Sequence, residues 1–106
     1  MAIRTFKQVE DIVKKYSLLL SEAGLPVEKV VLFGSYAKNM QTESSDIDIA
    51  VVLKKFIEDR FTTRVKLMKY SRNFEVVIEP HPFLEEEFND SNPFIWEIQK
   101  NGIVIT

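Results

Sequence analysis

The chain has 106 residues, 45% apolar and 28% charged, with a formal net charge of -2 and no cysteine. That length supports one hydrophobic core, so residues 1–106 are expected to form a single domain with no separate acceptor-binding domain beside it. Disulfides and thiolate metal sites are excluded, and the charge balance supplies no overall basic surface for a nucleic-acid backbone.

Charges interrupt the apolar positions of "MAIRTFKQVEDIVKKY", so this stretch does not read as a signal peptide. No segment is apolar for long enough to span a bilayer, and a cytoplasmic location is the expectation. Thr5 and Gln8 have the spacing of a capping box, and Phe6, Val9, Ile12, Val13, Tyr16, Leu19, Leu20 and Ala23 keep helical spacing until Gly24 and Pro26. "KVVLF", Lys29 to Phe33, is β-branched and ends at Gly34, which predicts a buried strand. "SYAKNM" then suits a short helix, "TESSD" a polar loop and "DIDIAVVL" a second strand. A helix is expected from about Glu58 to Tyr70, with Phe61, Val65, Leu67, Met68 and Tyr70 as its apolar face. "FEVVIEP", Phe74 to Pro80, reads as a third strand ending at the proline. "FLEEEF" suggests an acidic helical turn. Asn92 and Pro93 suit an N-cap and first position for the helix "FIWEIQKN", which Gly102 stops before the short strand "IVIT". Alternating helices and strands predict an α/β (α+β) domain of about four strands with helices packed on a mixed sheet.

The chemistry concentrates at "GSYAKNMQTESSDIDIAVVL", Gly34 to Leu53. On a strand, Asp46 and Asp48 project to the same face, their Cα atoms roughly 6 to 7 Å apart, while Ile47, Ile49, Val51 and Leu53 face the other way. Two unpaired carboxylates so placed would repel, and a divalent cation between them removes the conflict. Oxygen donors favour Mg²⁺ or Mn²⁺ over zinc. Taken alone, such a D-x-D is more often a solvated junction at the head of a strand. Gly34 and Ser35, where a strand gives way to a helix, offer backbone N–H groups and a hydroxyl suited to phosphate. The ordinary alternative is a turn glycine followed by an N-cap serine.

Together these residues resemble the signature of the nucleotidyltransferase superfamily related to DNA polymerase beta, a G-S-x-A-x-G followed by S-D-I-D-x-x-V, and in particular its minimal single-domain members of the MntA antitoxin type. The resemblance implies a nucleotidyltransferase fold, a nucleoside triphosphate lying on Gly34 and Ser35, and Mg²⁺ (or Mn²⁺) held by Asp46 and Asp48; Lys38 reads either as a further contact to a triphosphate oxygen or as a solvated lysine. It implies transfer of a nucleoside monophosphate, AMP from ATP, to a hydroxyl. Minimal members modify a tyrosine of a HEPN-domain toxin, so a HEPN-type partner is expected by analogy. The superfamily's third carboxylate maps to Glu75, with Glu79 its competitor on the same strand face.

Two departures stand out. Asn39 replaces the usual glycine, although Asn tolerates left-handed backbone, and Glu75 stands where Asp is commoner. They favour an alternative in which the domain binds nucleotide or protein and regulates a partner by contact alone. A nucleic-acid polymerase is disfavoured by size and charge. His81, the lone histidine, reads as a loop residue. Trp96, with Phe94, Ile95 and Ile98, reads as core, or else as a homodimer or partner surface.

Overall fold

In the computed structural model Thr5 and Gln8 form the expected reciprocal capping box, with Gln8 N donating to Thr5 Oγ1 at 3.1 Å and Thr5 N to Gln8 Oε1 at 2.8 Å. They open helix α1, Phe6–Glu22. The structure describes residues 4–42, 45–89 and 92–106. Strands β1 (Val27–Phe33) and β2 (Ile47–Leu53) follow. Helix α2 (Arg60–Ser71), strand β3 (Ile78–Leu84), a 3-10 turn at Glu85–Glu87, helix α3 (Pro93–Asn101) and strand β4 (Ile103–Val104) complete the order. Of the expected loop "TESSD", Glu43 and Ser44 lie outside the described residues.

The sheet is mixed, in the order β3-β2-β1-β4: β1 pairs antiparallel with β2 and β4, and β2 pairs parallel with β3 across the α2 connection. Alternation along the strands gives the sheet two packed faces. Val30, Leu32, Ile47, Ile49, Val51 and Leu53 meet Val9, Val13, Tyr16 and Leu20 of α1 and Leu67 of α2. On the opposite face Val31, Ala50, Val52 and Phe83 meet Phe88 and, from α3, Ile95 and Ile98. The two helices on the first face are tied by the buried Tyr16 hydroxyl, which donates to the Leu67 carbonyl at 2.6 Å.

Three expectations change. The buried stripe of α2 is Thr63 and Leu67, while Phe61, Val65 and Met68 face solvent. Thr63 can occupy the core because its hydroxyl is satisfied: Oγ1 donates to the Asp59 carbonyl at 2.7 Å and accepts from Ile57 N at 2.8 Å. In α3, Ile95 and Ile98 are core, but Trp96 and Phe94 stay exposed, Trp96 lying under the Lys100 ammonium.

The third change concerns β3, which does not end at Pro80 but runs through Pro80 and Pro82 to Leu84. Two prolines two residues apart place both missing N–H groups on one side of a strand, and an edge strand has one side open. The Pro82 carbonyl confirms which side it is, since it accepts from Arg60 Nη1 at 2.7 Å rather than from β2. Arg60 also makes paired bonds to Glu87, at 2.5 and 2.7 Å, clamping the acidic turn to the start of α2.

Candidate active site

At one end of the sheet, on the face that carries α3, three strands place their side chains in register. Phe33 at the end of β1 lies opposite Asp48, and Asp48 lies opposite Glu79 of β3. One step further along, Ala50 lies opposite His81. Asp46 immediately precedes β2 rather than beginning it. Glu79 nonetheless interacts with both Asp46 and Asp48. Ligand atoms of Asp48, Glu79 and His81 all lie within 4.8 Å of one another.

Glu75 does not join them. It is exposed in the bend before β3, because the strand begins at Ile78 and the acid in register with Asp48 is therefore Glu79. A strand that stops at Pro80 falls too early in the chain and puts His81 in a loop, whereas β3 runs from Ile78 to Leu84. Once β3 is carried through both prolines, period-2 alternation alone puts Glu79 and His81 on one face, so a signal for both was present in the sequence.

Gly34 turns the chain away from β1 with φ +76°, a region in which side chains are strained. The space is also closed: a Cβ there would stand 2.6 Å from Asp48 Oδ2. Close approach of this backbone to the Asp48 carboxylate thus requires glycine. The segment after it forms turns, not the expected short helix, with Lys38 N donating to the Gly34 carbonyl at 3.2 Å and Met40 N to the Ser35 carbonyl at 2.9 Å. Asn39 closes the turn at φ +56°, the left-handed conformation that Asn tolerates. So short a segment cannot sustain helical nucleation against that reversal. Any phosphate contact at Gly34 and Ser35 consequently rests on turn backbone rather than on a helix dipole. Tyr36 is buried and Ala37 packs against the core, anchoring the turn to the sheet. Lys38 leans toward α3, where Nζ lies 3.4 Å from Glu97 Oε1.

The electrostatics follow from this crowding. Burial, chiefly, and the charge of Asp46 push the Asp48 carboxyl above its usual range, against a lowering contribution from Glu79. Glu79 is pushed up by desolvation and by both aspartates. Desolvation and the nearby Arg64 charge hold the His81 imidazole below its ordinary pKa and so favour the neutral ring, against the opposing attraction of Glu79. Spaces adjoin the cluster on two sides. A groove of about 430 Å³ runs along Glu79 and is lined by Arg64, Arg72, Met68 and Phe74. A cavity of about 150 Å³ lies beside Gly34, between Phe33, Lys38, Phe94 and Glu97. Neighbouring carboxylates that resist ionisation together, bordered by a glycine turn and cationic side chains, have the chemistry of a site for a divalent cation and an anionic ligand. No helix among the described residues is long and apolar enough to cross a membrane.

Comparison with known proteins points the same way. The family model described as "Polymerase beta, Nucleotidyltransferase" matches residues 7–106. Two Methanocaldococcus jannaschii proteins that carry the name "Putative protein adenylyltransferase" are 45% identical over 49 residues and 34% identical over 68 residues. The first match covers 46% of this chain and 49% of the relative, the second 64% and 67%. The matched segment thus spans about half the length of the first relative. Among solved structures, a Sulfolobus solfataricus protein described as a nucleotidyltransferase of putative assignment superposes with a TM-score of 0.60 at 24% identity, covering 95% of this chain and 78% of its own. A toxin-antitoxin structure with AMP-PNP superposes with a TM-score of 0.65 at 21% identity, covering 92% and 72%. At those identities the superpositions establish a shared fold.

Proposed function

Because the chain belongs to the polymerase beta nucleotidyltransferase family, we propose that it transfers AMP from ATP to a hydroxyl of a partner protein in a divalent-metal-dependent reaction. The observation that carries this reading is the register of Asp48 with Glu79, beside a glycine turn that admits no Cβ against the Asp48 carboxylate. Donor set and charge both fit a cation: Asp48 and Glu79 are held above their usual range chiefly by burial and further by neighbouring aspartate charge, a strain that a bound divalent ion relieves. Asp46, Asp48 and Glu79 would hold Mg²⁺, or Mn²⁺, with Glu79, the alternative to Glu75, taking the third-carboxylate position. The ion supplies charge stabilisation on the phosphoryl oxygens and lowers the pKa of a coordinated hydroxyl.

The chain's own residues do the positioning. Gly34 and Ser35 present turn backbone and a hydroxyl to the triphosphate, and Lys38 reaches it by exchanging Glu97 for a phosphate oxygen. Glu79 faces the groove lined by Arg64 and Arg72, so the acceptor hydroxyl enters from that side and gives its proton to the carboxylate there. Attack on the α-phosphorus forms the new P–O bond as the bond to pyrophosphate breaks.

Support for a protein acceptor comes from relatives that carry the name of protein adenylyltransferases, and support for a toxin partner from the toxin-antitoxin structures that share the fold; the HEPN type of that partner and its tyrosine target follow from the sequence resemblance alone. Calorimetric titration of ATP with and without Mg²⁺, on the wild type and on the Asp46→Ala, Asp48→Ala double variant, tests the site. Mg²⁺-dependent binding lost in the variant is the expected result. Equal binding by both proteins would remove the metal site and shift the reading to a module that regulates its partner by contact.

A further inference from the structure

His81 is the chain's single histidine, and the reaction described above gives it no task. The fold nevertheless holds its ring firmly. Phe33 and Phe94 stand against it with centroids at 5.2 and 6.4 Å, and its β2 neighbour in register, Ala50, is the smallest side chain on that strand. This packing aims Nε2 at the acidic cluster, 3.7 Å from Asp48 Oδ1.

Nε2 is buried and makes no hydrogen bond among the described residues. A buried polar atom without a partner forfeits the hydration it had in water with nothing in return. Such groups in native folds call for a reason, and an ion is one of the few that fits a cluster of donors. Neutral imidazole offers a lone pair at a ring nitrogen and is among the commonest metal ligands. Donors at about 2.1 Å from one ion stand about 3 Å apart when they subtend a right angle. Asp48, Glu79 and His81 each offer a ligand atom within 4.8 Å of the other two, close to the spacing that a shared ion requires.

We infer that His81 donates Nε2 to the cation held by Asp48 and Glu79, making a mixed nitrogen and oxygen site that takes Mn²⁺ in preference to Mg²⁺. The inference rests on the metal-dependent reading above and adds selectivity to it. Oxygen-only sites suit Mg²⁺, whereas an imidazole ligand moves preference toward first-row transition ions. The carboxylates fix where the ion sits, and the histidine decides which ion is kept.

Electron spin-echo envelope modulation on tag-free protein loaded with MnCl₂, with and without ATP, reads the ligand directly. With one histidine in the chain, imidazole nitrogen modulation has one source. The expected result is that modulation in the wild type and its loss in His81→Gln and His81→Phe, the latter preserving the aromatic packing. In calorimetric titrations those variants should lose at least about tenfold in Mn²⁺ affinity, with Mg²⁺ affinity close to wild type. Mn²⁺ bound without nitrogen modulation would overturn the histidine ligand and leave the metal-dependent reading standing. Failure of both ions to bind, with ATP present or absent, would overturn the two together.

Discussion

Replacing Gly34 by Ala adds one methyl group at the point where the turn backbone meets the Asp48 carboxylate. The new Cβ would stand 2.6 Å from Asp48 Oδ2 and 3.3 Å from Asp48 Cβ and Cγ, so the carboxylate must retreat by about 0.8 Å to regain ordinary contact. A second cost comes from the backbone, since φ +76° is left-handed and an L side chain there costs roughly 1–2 kcal/mol. Gly24→Ala separates the two: its φ is +87°, but a Cβ there meets nothing within 4 Å. Both variants should lose the backbone increment in thermal unfolding, about 4 °C or more per kcal/mol for a domain of this size. Only Gly34→Ala should also lose Mg²⁺-dependent ATP binding and about 100-fold in transfer rate, the penalty for displacing a reacting group by about 1 Å. Calorimetry and a nucleotide-transfer assay on the two variants decide the matter. If Gly34→Ala binds Mg²⁺-ATP as the wild type does, the close approach to Asp48 is a packing accident and the turn has no part in the site.

The raised carboxyls of Asp48 and Glu79 mean that, without metal, the folded chain binds more protons than the unfolded chain between the ordinary and the elevated pKa values. Their contribution to stability therefore falls as pH rises from the ordinary carboxylate range through their elevated values. Asp48→Asn should flatten that slope and raise metal-free stability at pH 7 by roughly 0.5–2 kcal/mol while weakening Mg²⁺ binding. A destabilised Asp48→Asn across that range would refute the repulsion. Asn39→Val places a β-branched residue at φ +56° and should cost at least about 1–2 kcal/mol, whereas Asn39→Gly should be tolerated, both read by chemical denaturation. Tyr16→Phe removes the 2.6 Å bond to the Leu67 carbonyl and should cost about 0.5–1.5 kcal/mol without changing ATP affinity, which thermal unfolding and calorimetry check together.

Local chemistry made most of the elements legible. The Thr5 and Gln8 box, the Asn92 and Pro93 start of α3 and the alternation of "DIDIAVVL" each act within a few residues, and each appears as read. What escaped depended on neighbours far along the chain. Pro80 and Pro82 belong in a strand only because β3 lies at the sheet edge and Arg60 satisfies the outward carbonyl, and edge position is a property of the whole sheet. For the same reason the acid in register with Asp48 is Glu79, the alternative to Glu75, and His81 lies in a strand. On α2, apolar spacing favoured Phe61, Val65 and Met68, but Thr63 was buried by hydrogen bonds that composition does not reveal. The placement of Asp48 on the α3-bearing face is legible because period-2 spacing carries its own geometry.

The proline-bearing edge of β3 has a bearing on assembly. A strand that lacks alternate donors and has an outward carbonyl occupied by Arg60 offers poor pairing to an incoming chain, and the opposite edge is β4, only two residues long. The sheet is thereby protected from templated growth, whether as strand exchange between copies or as the first layer of a fibril. Association with another protein must instead use side-chain surfaces, which can release their partner without unzipping a backbone ladder.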